Sequence, residues 1–419
     1  MYTSKLSIAL LSLTFAPLPL FADRISMLSP DSTSIVTALD ADTPDGEDGL
    51  PRHFIIGNNK FYLGIGGYGK VTIGEDFGVA DMSPSNFTVS EIPRGGTSRP
   101  KSFNISPAQT YLFLNFVGLP DTADEIGFYI GANLTGKNYL PNLIAAHIKY
   151  RGIKLGYDYP VFSDNTVLPG TIDYQGPNAA CCVQMPELSY SCKFGKNRNW
   201  EVQAGITVSP ASMTFAAETA EVKQFIPDFA AALRFTWGDD ASLKLAGLLH
   251  NMTYSNLVTG KDVTKCGWGA MLTGKSPVVG NLSAGWSAVI GKGVASYIQD
   301  LADIGYDLMP SSIHNDKLTT PFTWGAYGWL QYDFSEKFSL AACYSHVRNH
   351  FSRYEDASDE QEFSWGSRYR YAQYVSGTFT YNIMPNLVTG LEYIYGRRVD
   401  MDGAQGHASR LQTMLQVFF

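Results

Sequence analysis

Beyond its first two dozen residues the chain has no apolar stretch approaching ~20 residues, which excludes membrane-spanning helices but leaves strands open. It has no basic tail, and at a net charge of -8 it is a poor candidate for nucleic acid. It has no GxSxG elbow and no HExxH, the signatures of the common serine hydrolases and zinc proteases. Only five cysteines occur, Cys181, Cys182, Cys192, Cys266 and Cys343, with no CxxC pair and no nearby histidine to suggest a metal. A bridge from Cys192 to Cys181 or Cys182 is conceivable, and unpaired small apolar residues are the other reading. No repeat of fixed period runs along the chain, which argues against a propeller. These absences leave no catalytic residues, no cofactor and no metal to expect.

What is present is alternation, in a chain of 24 Tyr, 24 Phe and 40 Gly. Met1 to Lys5 is short and basic, Leu6 to Phe21 is apolar, and Ala22 precedes polar Asp23, so residues 1-22 read as a secretory signal peptide. Residues 23-55 are acidic and rich in Ser, Asp and Pro, without heptads, and are expected to be a flexible periplasmic segment. From residue 56 to 419 period-2 segments follow one another. Phe61, Leu63, Ile65 and Val71 oppose Tyr62, Tyr68, Lys70 and Thr72; Trp200, Val202, Ala204 and Ile206 oppose Glu201 and Gln203. The chain stops on Phe419 after the alternating Leu411, Thr413, Leu415 and Val417, which reads as the closing strand of an outer-membrane barrel.

About sixteen such segments can be counted, each long enough to cross a bilayer at a tilt. Their connections alternate between long stretches, near 73-108, 163-183, 209-227, 251-264, 292-321, 350-367 and 398-407, and compact turns such as Arg151-Gly152. The expected fold is therefore all-β, a transmembrane antiparallel β-barrel with a water-filled lumen in the bacterial outer membrane.

Taking the apolar parity as facing lipid puts Lys70, Lys149, Lys154, Arg234, Lys244, Arg370, Arg398 and Arg410 on the lumen side, against Asp158, Glu201, Asp333 and Glu392. Such an excess of positive charge in a pore favours small anionic solutes. The long connection from Ser163, carrying Asp164, Asp173 and Tyr174, is expected to fold inward as a constriction loop.

The segments FSD (162-164) and PGTIDYQGP (169-177), with GIGGYGKVTI (64-73), PDFAAALRF (227-235), SLKLAGLLH (242-250), GKGVASYIQDL (291-301), YGRR (395-398) and SRLQ (409-412), resemble those of DcaP-like outer-membrane porins over about residues 55-419. The resemblance implies a homotrimeric, sixteen-stranded anion or dicarboxylate channel, with outer-membrane lipid and lipopolysaccharide as surroundings. DcaP proper carries an N-terminal coiled coil that residues 23-52 here do not repeat. Two further readings stand beside transport: a barrel enzyme of lipase or protease type, and an adhesin acting through the long loops.

Overall fold

The computed structural model describes residues 53–58, 60–79, 82–95, 101–120, 122–209, 211–238, 240–310, 316–351 and 365–419. The expected signal peptide and nearly all of the acidic segment lie outside the described residues. Sixteen strands form one closed antiparallel barrel. In chain order they are β1 (Phe61–Phe77), β2 (Tyr111–Gly118), β3 (Ile126–Asn133) and β4 (Asn142–Tyr150). Next come β5 (Ile153–Asp158), β6 (Met185–Phe194), β7 (Trp200–Thr207) and β8 (Asp228–Trp237). After these are β9 (Ala241–Asn256), β10 (Lys261–Val279), β11 (Leu282–Lys292) and β12 (Phe322–Asp333). The wall ends with β13 (Phe338–His350), β14 (Tyr369–Met384), β15 (Leu387–Asp400) and β16 (Gln405–Phe418).

Alternation fixes which face looks out. On β9 Leu243, Leu245 and Leu249 are exposed while Lys244, Ala246, Leu248 and His250 between them are buried. Exposed leucines in a continuous band have no place in water and mark a lipid-facing wall. Among the described residues no helix is long and apolar enough to cross a membrane.

The barrel closes where β1 meets β16, from Tyr68↔Phe418 to Phe77↔Ser409. Phe419 completes the seam: its N–H donates to the Gly67 carbonyl at 3.1 Å and its carbonyl accepts from Gly67 at 3.0 Å. Below that point a short strand, His53–Asn58, takes over the same edge of β1, from His53↔Gly66 to Asn58↔Phe61. The two segments share one side of a 17-residue strand that neither could cover alone.

Compact turns lie at the end holding Phe419. Arg151-Gly152 is one: Gly152 has φ +83, and a Cβ there would stand 2.5 Å from the Ser191 carbonyl, so only glycine fits. At the opposite end three of the expected long loops are shorter than the sequence suggests, the first because β1 runs on to Phe77 and pairs there with Lys101–Ser106. Strands β9 and β10 continue as a ladder to Asn256↔Lys261, replacing most of the loop expected at 251-264. Strands β15 and β16 likewise run to Val399↔Gln405. Polar runs such as Asn251, Thr253 and Ser255 hide these extensions, because above the membrane a hairpin needs no lipid-facing apolar parity.

Three of the other long connections turn inward. Phe87, Val89 and Ile92 from one, Phe162, Val167 and Ala179 to Cys182 from a second, and Val294 to Ile298 with Leu301 from a third pack with inward wall residues such as Ala232, Val289, Val347 and Tyr374. A barrel of this width normally encloses water. Here part of its bore holds an apolar core built by loops.

Candidate functional site

The second of those loops crosses the lumen as a strap, and most of the basic residues expected to line the pore fasten it or a neighbouring loop. At the strap's entry Asp164 is almost fully buried and receives Arg234 Nη2 from β8 at 2.8 Å and Thr273 Oγ1 from β10 at 2.5 Å. Arg234 Nη1 donates to Thr166 Oγ1 at 3.0 Å, and Lys244 Nζ from β9 donates to the Ser163 carbonyl at 2.7 Å. The Ser163 hydroxyl donates to the Cys181 carbonyl at 2.6 Å, closing the strap on itself. Arg234 and Lys244 hold the Asp164 carboxyl well below the usual carboxylate range, despite burial that opposes this.

The far end is fastened on the other side of the barrel. The backbone N–H groups of Ile172 and Asp173 both donate to Glu392 on β15, at 2.8 Å each. Glu392 also accepts from Thr378 Oγ1 at 2.5 Å and Gln412 Nε2 at 2.8 Å, so a fully buried carboxylate finds four donors. Lys70 Nζ from β1 donates to the Ile172 carbonyl at 3.1 Å. Asp173 accepts from the N–H groups of Phe87 at 2.8 Å and Gly176 at 2.9 Å, tying the strap to the first inward loop. Burial, and next the negative Glu392, push the Asp173 carboxyl up to about 7. The Tyr174 N–H donates to the Ser85 carbonyl, and its ring packs against the wall cluster of Tyr111, Phe113 and Tyr129.

Midway, the Val167 carbonyl accepts from Trp329 Nε1 at 2.7 Å, and Ser345 Oγ accepts from the Ala179 N–H at 3.1 Å. Strap residues thus touch β1, β8, β9, β10, β12, β13 and β15. Two clefts remain beside it, which meet at Leu168. The smaller is bordered by Tyr159, Tyr174, Gln184 and Gln299, and the larger by Thr166, Lys275, Trp329 and Gln331.

The other basic residues have separate posts. Arg410 is fully buried and grips Asp76 with Nε at 2.6 Å and Nη2 at 3.0 Å, while also donating to the Ser83 and Pro84 carbonyls. Arg398 donates to Asp400 at 2.7 Å and to the Ser90 and Ser367 carbonyls. Lys154 is partly exposed and bridges Asp158 at 3.1 Å and the Tyr159 carbonyl at 2.9 Å. Lys149 is half-buried on the inward face of β4. Arg370 falls where the register shifts between Tyr369 and Tyr371, so alternation no longer tells inside from outside. It is half-buried and makes no hydrogen bond or ion pair with the described residues.

Sequence reasoning missed several inward acids. Asp76 lies on the upper part of β1, inside what reads as a loop beginning at 73. Glu187 and Asp228 each follow a proline, Pro186 and Pro227, that reads as the end of a connection rather than the start of a strand. Each of the three is buried and bonded: Glu187 accepts the Val161 N–H at 2.6 Å, and Asp228 accepts the Asn251 N–H at 2.8 Å. The positive excess counted along the wall is therefore largely compensated.

All five cysteines are free, with Cys181, Cys182 and Cys343 buried. Burial pushes the Cys181 thiol up to about 12, which makes it an inert packing group. Among the described residues no group of three or more His, Cys, Asp or Glu could hold a metal ion. The inward histidines are also structural: His250 Nδ1 lies 2.8 Å from the Gly293 carbonyl, and His147 stacks on Tyr129.

The crystal structure of the outer-membrane channel DcaP of Acinetobacter baumannii superposes on the chain with a TM-score of 0.72, covering 86% of this chain and 98% of that one at 17% identity. The fold is that of an outer-membrane porin. An anion-selective porin from Comamonas acidovorans gives a TM-score of 0.53 at 9% identity, covering 86% of this chain and 100% of that one. OmpF of Salmonella typhi in complex with daunomycin gives 0.52 at 12% identity, covering 87% and 100%. No family model and no curated protein sequence matches the chain. The expected likeness to DcaP-like porins holds at the level of the barrel, and sixteen strands agree with the count made from alternation.

Proposed function

We propose that the protein is a homotrimeric porin of the bacterial outer membrane that lets small hydrophilic solutes pass by passive diffusion, anions such as dicarboxylates ahead of cations. The observation that carries the reading is the strap: a loop fixed at both ends inside a closed barrel, with open clefts beside it, is a fixed constriction and not a plug. A preference for anions is supported by Lys275 at the wider cleft and by Lys70 and Lys244, which donate to strap carbonyls. Lipopolysaccharide and outer-membrane lipid would surround the barrel.

The test is the reversal potential across a planar bilayer holding the protein in a tenfold gradient of potassium chloride. An anion-selective potential that shrinks when Lys154 and Lys275 are replaced by glutamine supports the proposal; a cation-selective one contradicts the charge argument, and no conductance contradicts the channel.

A further inference from the structure

The outer face of the wall is apolar along most of its height, but on the β10 to β14 side its loop-bearing edge is not. Lys292, at the end of β11, lies beside Trp268 on β10 and Phe322 on β12, and the row continues to His350 on β13. In the next row Arg348 on β13 lies between Trp324 on β12 and Tyr371 on β14. These positions carry the parity opposite to buried Thr323, Val347 and Asn349, so they look outward. The His346 ring is stacked between Trp324, at 5.1 Å and 25°, and Tyr371, at 5.6 Å and 20°. The outward positions in these two rows, from Trp268 to Tyr371, include no carboxylate.

Two observations set this patch apart from ordinary surface charge. Arg348 Nε is buried and has no hydrogen-bond partner, although arginine on an open wall would turn its fork to water. Among the described residues nothing accepts from it, and Trp324 and Tyr371 flank it on the neighbouring strands. The patch also stands at the height of exposed Trp268, which pairs with Lys292, and exposed Ile290 lies two residues below Lys292 on the same face. Adjacent strands lie ~4.8 Å apart and Arg348 is one row below Lys292, so their backbones are about 12 Å from one another.

We propose that Lys292 and Arg348 form a docking site for the phosphorylated headgroup of an outer-leaflet lipid, whose acyl chains lie against the apolar wall below. The inference rests on the outer-membrane reading, with the long loops facing outward. A phosphate offers the planar arginine fork two acceptor oxygens and matches the lysine charge, while stacked His346 and Trp324 keep the fork from collapsing onto the wall. A headgroup seated there would place a lipid at a fixed azimuth of the barrel.

The full-length protein in zwitterionic detergent is titrated with lipid A, and with lipid A stripped of its phosphates, following tryptophan fluorescence. Each basic residue near an anionic lipid surface is worth about fivefold in affinity. Lys292→Gln and Arg348→Gln are therefore expected to weaken binding of the phosphorylated lipid about fivefold each and to leave the stripped lipid unaffected. Arg348→Lys should retain part of the binding, and added salt should narrow the gap between the two lipids. Single-channel conductance, recorded on the same variants, should not change. Equal affinity of wild type and variants for the phosphorylated lipid would overturn the proposal, as would a variant that changes the mass of the assembly, which would assign this face to contact between copies. Absence of conductance in the wild type would defeat the channel reading while leaving the lipid comparison readable.

Discussion

The two ends of the strap are held by opposite chemistry. At Asp164 a strap carboxylate sits between wall cations, Arg234 and Lys244, so the loop brings the negative charge and the barrel the positive. At Asp173 the wall brings the carboxylate: Glu392 receives two strap N–H groups, and the strap's own acid is buried close to it. The first end is an ion pair whose attraction outweighs the desolvation of its acid. The second is a backbone cradle in which two carboxyls share a dry site. Holding a loop across a pore thus admits two solutions within ten residues, and they respond differently to substitution and to pH.

The largest effect is expected at the ionic end. Asp164→Ala leaves Arg234 and Lys244 in the interior without their carboxylate, and breaking a buried pair in this way costs about 3–5 kcal/mol. A lower thermal midpoint and a larger single-channel conductance should appear together, because the strap's entry is released. A lower midpoint with unchanged conductance would mean that the strap does not set the bore.

Glu392→Gln tests the cradle. The amide oxygen can still accept, but its NH₂ must face donors that a carboxylate oxygen satisfied, at a cost of about 1–3 kcal/mol. Release of the far end should raise conductance less than Asp164→Ala does, since Lys70 still holds the Ile172 carbonyl. Conductance noise recorded on both variants ranks the two anchors directly.

The ends should also separate by pH. Asp173 is raised from 3.8 to about 7, so its contribution is complete below about 4 and is lost as pH climbs through about 7. Asp164 is depressed, so its contribution is present above 3.8 and is lost only when pH falls through its lowered value. Between pH 5 and 8 the Asp173 carboxyl loses its proton while Asp164 stays ionised: current fluctuations should increase toward pH 8, and Asp173→Asn should remove the part of that dependence that comes from the cradle. A pH profile unaltered by Asp173→Asn would remove the difference between the ends.

The smallest effect belongs to Lys275→Gln at the wider cleft, away from either anchor. Stability should stay within about 0.5 kcal/mol while the reversal potential moves toward zero.

Local pattern carried the barrel. Period-2 alternation placed Lys70, Arg234, Lys244 and Arg410 on the inner face, and glycine and proline between Ser163 and Val183 announced an inward loop, because both signals depend only on near neighbours in the chain. What those cations do was not legible. Arg410 and Asp76 are 334 residues apart and Arg234 and Asp164 are 70 apart, so no spacing reveals that each basic group is already engaged. The loop core was hidden for a related reason: Phe87, Ile92 and Tyr297 read as isolated apolar residues in long connections until the barrel brings them together.

The central claim is that a strap fixed at both ends sets the bore of a passive channel. Single-channel conductance of wild type and Asp164→Ala, measured side by side in planar bilayers at one salt concentration, tests it most directly. The account predicts a small, steady wild-type conductance and a larger, noisier one in the variant; equal conductance in the two, or none in either, would contradict it.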